Sequence, residues 1–310
     1  MERELAKVLC ESIADVMIKN EKVVLVGADL IKTNGLKPII EAFPERVVNV
    51  GVAEQNMAGI AAGMASYGMI PVINTFAAFA SRRICDQVAI SICYAGQNVK
   101  IIGTDPGITA ELNGGTHMTF EDIGVLRSIP NITIVEAADS IELAQMIPAI
   151  IQHEGPVYLR MYRKATPFVH NEDYRFKLGK ADLLRPGQDV TILCSGIMVS
   201  EAVEAGKQLE ADGIDAEIIN IHTIKPLDEE TICASADKTG AIVTCENHNI
   251  LGGFRSAVAE AITACKPVRI YPVGVNDIKG EVGVLDYLRT RFGLNAKSIV
   301  SAAKRAVAEK

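Results

Sequence analysis

Short apolar runs alternate along this chain with stretches of helical periodicity. In the first part of the sequence the apolar runs are short and rich in β-branched residues, as in strands that are covered on both faces. They lie at 23–26, 47–50, 70–73, 99–102, 132–135 and 157–159. Helical stretches separate them near 3–19, 54–66, 80–94 and 139–152. This alternation predicts α/β layers built on a mostly parallel sheet.

A second series of strands and helices follows a break in the pattern. The periodicity lapses between residues 163 and 188, where Arg185-Pro186-Gly187 supplies turn residues. Beyond the break we predict strands at 190–195, 216–221, 241–246 and 267–271, and helices at 199–211, 228–235, 253–263 and 283–309. The chain is therefore expected to form two consecutive parallel-sheet α/β domains, residues 1–185 and 186–310.

The composition narrows the class of protein. The chain has 310 residues, of which 49% are hydrophobic and 22% charged, so it can bury a sizeable core. No apolar run approaches the length of a membrane-spanning helix, and the first residues do not form a secretory signal. A net charge of -7 without a basic stretch argues against nucleic acid as a partner. We therefore expect a cytoplasmic protein with no membrane partner.

The cysteines have no pattern of pairing or metal binding. There are seven, an odd number, and no two have CxxC spacing. We interpret them as small buried hydrophobic residues in a reducing compartment, and not as disulfides or zinc ligands.

Glu54 is the first candidate for chemistry. It stands in Gly51-Val52-Ala53-Glu54-Gln55, where a strand ends in a glycine turn and a helix of small residues begins. Ligands of open α/β sheets bind outside the carboxyl ends of the strands, which is where this carboxylate is expected. The alternative is that Glu54 only complements the helix dipole, as acidic residues of a first turn commonly do.

Two further segments carry candidate residues. Phe76 and Phe79 are three residues apart and share one face of a turn or helix start, although buried phenylalanines are ordinarily core residues. His117 lies in the glycine-rich loop Gly114-Gly115-Thr116-His117. A histidine in such a loop is mobile and hydrated unless something orders it, so a ligand role and a structural role both stay open.

Taken in order, these motifs resemble the pyrimidine-binding domain of transketolase. The resemblance rests on GVAEQNM at 51–57, TFAAFASRR at 75–83, GGTHM at 114–118 and GPVYLRMYR at 155–163. The second domain, with KPLD at 225–228 and ENHNILGG at 246–253, is similar to the C-terminal domain of the same family. The resemblance implies thiamine diphosphate as cofactor and transfer of a two-carbon ketol unit from a ketose phosphate to an aldose phosphate.

The resemblance also implies roles for residues around the cofactor. Glu54 matches the glutamate that hydrogen-bonds N1′ of the aminopyrimidine and favours the imino tautomer, which requires a carboxyl that keeps a proton near neutral pH. Phe79 and Phe76 match the aromatic residues that pack on the pyrimidine ring. Asp29 matches an acidic residue near the cofactor at the dimer contact.

A second set of residues is implied to bind the substrate. His117 matches the loop histidine that hydrogen-bonds substrate hydroxyls and acts in catalysis, and Arg163 matches the arginine that binds the sugar phosphate. Thr33 and Arg3 fall where the family has further phosphate contacts. Two positions depart from the usual pattern, because Asn113 replaces an aspartate and Asp105 replaces a histidine. The sugar phosphate is therefore open, and a branched or modified ketose phosphate is one alternative.

Half of the expected site is missing from this sequence. Family members hold Mg²⁺ and the diphosphate with a Gly-Asp-Gly motif in a separate N-terminal domain, and the chain contains no Gly-Asp-Gly. The chain begins with Met1 and an expected helix, which favours a naturally split enzyme over a truncated one. The resemblance thus implies an N-terminal partner subunit that holds Mg²⁺. It also implies self-association through both domains, giving a heterotetramer with two composite sites.

Three other functions are compatible with parts of this pattern. The chain could be the C-terminal part of a 1-deoxyxylulose-5-phosphate synthase, or the beta subunit of a 2-oxo-acid dehydrogenase, although the His117 loop better fits the sugar-handling enzymes. It could also be a non-catalytic binding or regulatory subunit of the same fold. Glu54, Phe79, His117 and Arg163 together argue against that last function, because a module without chemistry requires none of them.

Overall fold

The computed structural model describes residues 3–310, which fold into two sheets with helices on both faces of each. Most neighbouring strands are parallel, and one antiparallel strand closes an edge of each sheet. The predicted α/β class, with two consecutive and mostly parallel sheets, is confirmed.

The first sheet has seven strands in the order β10-β5-β6-β4-β3-β1-β2. Six of them lie before residue 162 and are close to the predicted runs: β1 (Val23–Gly27), β2 (Val47–Asn49), β3 (Ile70–Phe76), β4 (Lys100–Thr104), β5 (Thr133–Glu136) and β6 (Val157–Met161). The seventh, β10 (Thr223–Lys225), comes from the second half and pairs antiparallel with β5.

Alternate residues of these strands pack into different hydrophobic clusters, as the period of a strand requires. On β6, Val157 and Leu159 join one cluster and Tyr158 joins the other. One cluster includes residues of α1 (Leu5–Lys19), α2 (Lys37–Ala42) and α5 (Ser140–Gln152). The opposite cluster includes residues of α3 (Glu54–Ser66), α4 (Asp122–Arg127) and the segment Gln87–Tyr94.

The second sheet has five strands in the order β12-β11-β8-β9-β7. Their bounds are β7 (Asp182–Arg185), β8 (Val190–Cys194), β9 (Ala216–Asn220), β11 (Ile242–Asn249) and β12 (Ile270–Val275). The flanking helices are α6 (Met198–Ala211), α7 (Glu229–Thr239), α8 (Phe254–Cys265), α9 (Leu285–Phe292) and α10 (Ala296–Ala308). Residues of α7 and α8 belong to the same cluster as α3 of the first domain, so one core continues across both sheets.

Several elements differ from the sequence prediction. The helix expected at 80–94 consists of two π-helical segments, Phe79–Arg83 and Gln87–Tyr94. The helix expected at 283–309 is interrupted at Gly293, where a backbone φ of 69° ends α9. The segment 163–188, expected to be a linker, contains β7, which pairs antiparallel with β9. The division near residue 185 stays a prediction.

The interpretation of the cysteines is wrong for one pair. Cys233 of α7 and Cys265 at the end of α8 form a disulfide. Helices α7 and α8 pack side by side, so two cysteines far apart in the sequence become neighbours, which spacing along the chain does not reveal. Cys10, Cys93, Cys194 and Cys245 are buried thiols, as expected, and Cys85 is half-buried.

Parallel pairing aligns the carboxyl ends of the strands that carry the candidate residues. Gly27 at the end of β1 is opposite Asn49 of β2 and Asn74 of β3, and Thr104 at the end of β4 is opposite Phe76 and Met161. The loops that follow these strands therefore meet at one edge of the first sheet. Among residues 3–310, no helix combines the length and the apolar character that a membrane crossing needs.

Candidate active site at the carboxyl edge of the first sheet

Glu54 is a buried carboxylate at the mouth of this edge. Gly51 adopts a φ of 74° after β2, and Glu54 is the first residue of α3. The small residues Ala58, Ala61 and Ala62 bury this helix against the sheet, so the side chain of Glu54 is only 3% exposed. A carboxylate so placed needs a polar partner, since an unpaired buried charge is costly.

Three rings gather beside this carboxylate. Phe76 ends β3 and Phe79 begins the next π-helical segment, and their ring centroids are 5.9 Å apart. The imidazole of His117 packs edge-on against both, with centroid distances of 5.7 Å to Phe76 and 5.2 Å to Phe79. Thr116 Oγ1 lies 2.9 Å from His117 Nδ1. The loop histidine is thus half-buried and ordered by aromatic contacts, which the sequence left open.

Arg83, which the sequence analysis did not single out, connects the carboxylate with the rings. Its Nη1 donates to Glu54 Oε1 at 2.7 Å, and its guanidinium carbon lies 3.8 Å from the centroid of the Phe79 ring. The side chain of Arg83 is 45% exposed. The available signal was its spacing, because Arg83 follows Phe79 by four residues in the same motif and so lies on the same side of a helical turn.

Asp105 and Arg163 form a second polar group at this edge. Asp105 follows β4, is buried and has a φ of 54°, a conformation that asparagine and aspartate tolerate best among residues other than glycine. Its carboxylate accepts hydrogen bonds from the Nε and the backbone N–H of Arg163. Burial raises the pKa of Asp105, and the charge and hydrogen bonds of Arg163 oppose that rise.

The guanidinium of Arg163 also contacts two other candidates. Its Nη1 donates to the backbone carbonyl of Thr33 at 2.7 Å, and its carbon lies 5.1 Å from the centroid of the Phe76 ring. The structure therefore brings Arg163, Thr33 and Asp105 together and joins them to the aromatic group through Phe76.

The remaining candidates lie in exposed positions. Asp29 follows β1 with a φ of 61°, and its backbone N–H donates to Asn49 Oδ1 at 2.9 Å. Asn113 is exposed in the loop before His117. Arg3 forms an ion pair with Glu11 of α1. Their roles stay predictions. The hydrogen bond and the ion pair of the Arg3 side chain are both with Glu11, and neither involves Arg163.

The loop that carries His117 is held by the second domain. The side chain of Asn247, buried on β11, accepts from the N–H of Ile108 at 2.9 Å and donates to the carbonyl of Pro106 at 2.9 Å. Gly107 between them has a φ of 57°, and a side chain there would collide with Asn247. The sequence analysis used the ENHNILGG motif only as a family signature and missed this contact.

The arrangement fits the aminopyrimidine part of thiamine diphosphate. It offers a buried carboxylate, flat aromatic walls and, on the same face of β3 as Phe76, the buried Nδ2 of Asn74, which lacks a hydrogen-bond partner within residues 3–310. An orphaned donor of this kind is found where a ligand supplies the partner. In the same part of the chain no three His, Cys, Asp or Glu side chains are grouped so as to hold a metal ion.

Known proteins are similar to this chain over most of its length. The family models "Transketolase, pyrimidine binding domain" and "Transketolase, C-terminal domain" match residues 2–169 and 179–299. The 6-deoxy-6-sulfo-D-fructose transketolase subunit SqwH of Clostridium sp. (strain MSTE9) is 52% identical over 92% of this chain and 88% of that protein. An apulose-4-phosphate transketolase subunit of Actinobacillus succinogenes is 35% identical over 96% of this chain and 97% of that protein.

A solved structure is also similar to this chain over nearly its whole length. A split gene transketolase, described as an inactive beta4 tetramer, is 37% identical with a TM-score of 0.90, and the match covers 99% of each chain.

Proposed function

The chain belongs to the transketolase family, and from this premise we propose that it is the C-terminal subunit of a split, thiamine-diphosphate-dependent transketolase. The observation that carries the proposal is the group formed by the buried Glu54 carboxylate, the rings of Phe76 and Phe79, and the imidazole of His117. A subunit with no chemistry to perform would not need this combination at one edge of a sheet.

Each residue of the group has a task in ketol transfer. Thiamine diphosphate, when bound, supplies the nucleophilic carbon of the reaction. Glu54 holds a proton at N1′ of the aminopyrimidine, and Phe76 and Phe79 pack against its ring. The buried position of Glu54 excludes water from that proton. His117 binds the substrate hydroxyls, and Arg163 binds the anionic end of the sugar.

We propose that the diphosphate and Mg²⁺ are held by an N-terminal partner subunit. Two of the relatives are named as transketolase subunits, and the solved relative as the product of a split gene. The sequence lacks the Gly-Asp-Gly motif with which the family binds Mg²⁺. An assembly of two copies of each subunit would have two composite sites. In it, two copies of this chain would contact each other through both of their domains.

The substrate is proposed to be a ketose with an anionic terminal group, which gives its two-carbon ketol unit to an aldose phosphate. One relative is named for 6-deoxy-6-sulfo-D-fructose and another for apulose 4-phosphate, so sugars outside the common pentose phosphates are known among similar proteins. Asn113 and Asp105 depart from the common pattern, and Asp105 pairs with Arg163, which supports a modified sugar.

Replacement of Glu54 by glutamine tests this function. With the partner subunit present, Glu54→Gln should lower kcat for ketol transfer by about 10²–10⁴-fold, the usual contribution of a positioned acid or base. Glu41→Gln, on the exposed side of α2, is the matched control and should leave kcat unchanged. Near-normal turnover in Glu54→Gln would contradict the role of Glu54.

The same assays distinguish the other functions. Consumption of pyruvate with glyceraldehyde 3-phosphate would support a deoxyxylulose phosphate synthase. Binding of partner and cofactor without turnover of any ketose or pyruvate would support a non-catalytic subunit.

A further inference from the structure

Asp105 holds the residue that is proposed to bind the anionic end of the substrate. Asp105 is 2% exposed, and its carboxylate accepts from both the Nε and the backbone N–H of Arg163. The Nε–H is thereby used, and one Nη1–H donates to the carbonyl of Thr33. Nη2 has no partner within residues 3–310, and both its hydrogens are available there for a ligand, so Arg163 can still bind an anion while it is paired with Asp105.

Lys164, the cation next to Arg163 in the sequence, is also neutralised by an ion pair. Lys164 pairs with Glu111, whose other carboxylate oxygen accepts from the hydroxyl of Tyr162 at 3.1 Å. Two cations and two carboxylates therefore face one another, and their formal charges cancel. Arg3, the remaining candidate for phosphate binding, pairs with Glu11.

A neutral group of this kind treats anions of different charge differently. A phosphate monoester carries about -1.5 to -2 charges at pH 7, whereas a sulfonate carries one. A second negative charge close to the buried Asp105 carboxylate is repelled, and little solvent is present there to screen it. Placing a like charge against the wrong ligand is a common means of selectivity.

We propose that Asp105 makes the Arg163 end of the site selective for sugars with a singly charged terminal group, such as a sulfonate, over sugars with a doubly charged phosphate. The proposal rests on the proposed function, since it assigns the substrate class of the same site. Arg163 binds the terminal group, and Asp105 sets the charge that the group carries.

The test uses pairs of ligands that differ only in the terminal group. D-glucitol 6-phosphate and 6-deoxy-6-sulfo-D-glucitol lack the carbonyl and cannot react, so calorimetry with the assembled two-subunit protein at pH 7.5 gives their Kd values. The wild type should bind the sulfonate roughly tenfold more tightly, and Asp105→Asn should move the ratio at least tenfold towards the phosphate. Asparagine keeps the shape and tolerates the φ of 54° at this position.

Two further variants make the outcome decisive. Glu121→Gln removes one negative charge near Arg82, with which Glu121 pairs, and should leave the ratio unchanged. Arg163→Ala should weaken both anions and leave the affinity for uncharged glucitol unchanged. Tighter binding of the phosphate by the wild type, or equal effects of Asp105→Asn on both ligands, would overturn the proposal.

Turnover distinguishes this proposal from the function on which it rests. Ketol transfer from either fructose 6-phosphate or 6-deoxy-6-sulfo-D-fructose supports the proposed function whichever way the Kd ratio falls. If neither ketose reacts, the proposed function fails, while the calorimetric ratio still measures the effect of Asp105.

Discussion

Arg83 contacts two of the three residues that are proposed to hold the aminopyrimidine ring. Its guanidinium donates to Glu54 and covers the Phe79 ring at 3.8 Å, the distance of a stacked group. A ring packed on the same face of Phe79 and bonded to Glu54 requires Arg83 to move away. Arg83 thus pairs with the buried carboxylate that is proposed to bind the cofactor.

Replacement of Arg83 by methionine should therefore tighten cofactor binding. Arg83→Met keeps much of the apolar stem and removes the competing charge, so the Kd of thiamine diphosphate in the assembled protein should fall severalfold by calorimetry. Arg82→Met is the matched control, since Arg82 pairs with Glu121 and the carbonyls of the His117 loop, and not with Glu54. Weaker binding in Arg83→Met would mean that Arg83 is itself a cofactor ligand.

Single residues with a strong local motif were predictable, and residues that act through tertiary contacts were not. Glu54, Phe76, Phe79, His117 and Arg163 were all named from the sequence, and the structure brings them to one edge. Their motifs each follow a strand, and parallel strands place such positions together. The pairing of Asp105 with Arg163 spans 58 residues, so only the departure from the family pattern marked Asp105 beforehand.

At the scale of elements, the loop that carries His117 depends on a strand of the other domain. Asn247 on β11 bridges the carbonyl of Pro106 and the N–H of Ile108, and thereby fixes the start of the loop. Through this contact the second domain helps to position the loop of the candidate site.

Replacement of Asn247 by alanine should affect the substrate more than the cofactor. Loss of the side chain leaves the buried N–H of Ile108 without its partner, which costs about 1–3 kcal/mol of stability. The carbonyl of Pro106 still accepts from the N–H and the hydroxyl of Thr109. With the loop loosened, KM for the ketose should rise severalfold while the Kd of thiamine diphosphate stays unchanged. Asn249 lies on the same strand as Asn247, and Asn249→Ala, which removes its hydrogen bond to Asp277, is the control. Equal changes in KM and cofactor Kd would indicate a merely structural role.

The buried His170 lies in the segment after β6 and contacts two carboxylates, those of Asp139 at the start of α5 and of Asp182 on β7. Burial opposes a charge on His170, but the carboxylates of Asp139 and Asp182 and the charge of Glu142 outweigh it and raise the pKa of His170 to about 10. The imidazole of an unfolded chain titrates near 6.5. The contribution of His170 to the free energy of unfolding is therefore complete below pH 6.5 and is lost as the pH rises through 10.

Urea unfolding at several pH values tests this dependence. The free energy of unfolding should fall between pH 7 and pH 10 by at most about 1.4 kcal/mol per pH unit. In His170→Gln the fall should be smaller, whereas His153→Gln, outside the cluster, should behave as the wild type does. An unchanged slope in His170→Gln would remove His170 as the cause.

The elements themselves were predicted unevenly. Helix α3 begins and ends where its small-residue periodicity placed it, and strands β1 to β6 were found within a few residues of the predicted runs. The periodicity at 80–94 could not distinguish an α-helix from two π-helical segments, because both place apolar residues on one side. Strands β7 and β10 were missed because each is short and pairs at the edge of a sheet.

At the scale of the whole molecule, the two domains are joined by direct contacts as well as by the chain that connects them. Strand β10 leaves the second domain to pair with β5, and the buried Arg160 of β6 forms ion pairs with Asp122 and Glu136 and donates to the carbonyl of Asn247. The alternation of strands and helices predicted both sheets. It did not predict the contacts between the two domains, because these join segments that are far apart in the sequence.

The central claim is that this chain supplies one half of a composite site. It is tested most directly by calorimetric titration of thiamine diphosphate with Mg²⁺, first into the chain alone and then into its mixture with a candidate N-terminal subunit that carries the Gly-Asp-Gly motif. A composite site predicts tight binding only in the mixture. Tight, Mg²⁺-dependent binding to the chain alone would contradict it.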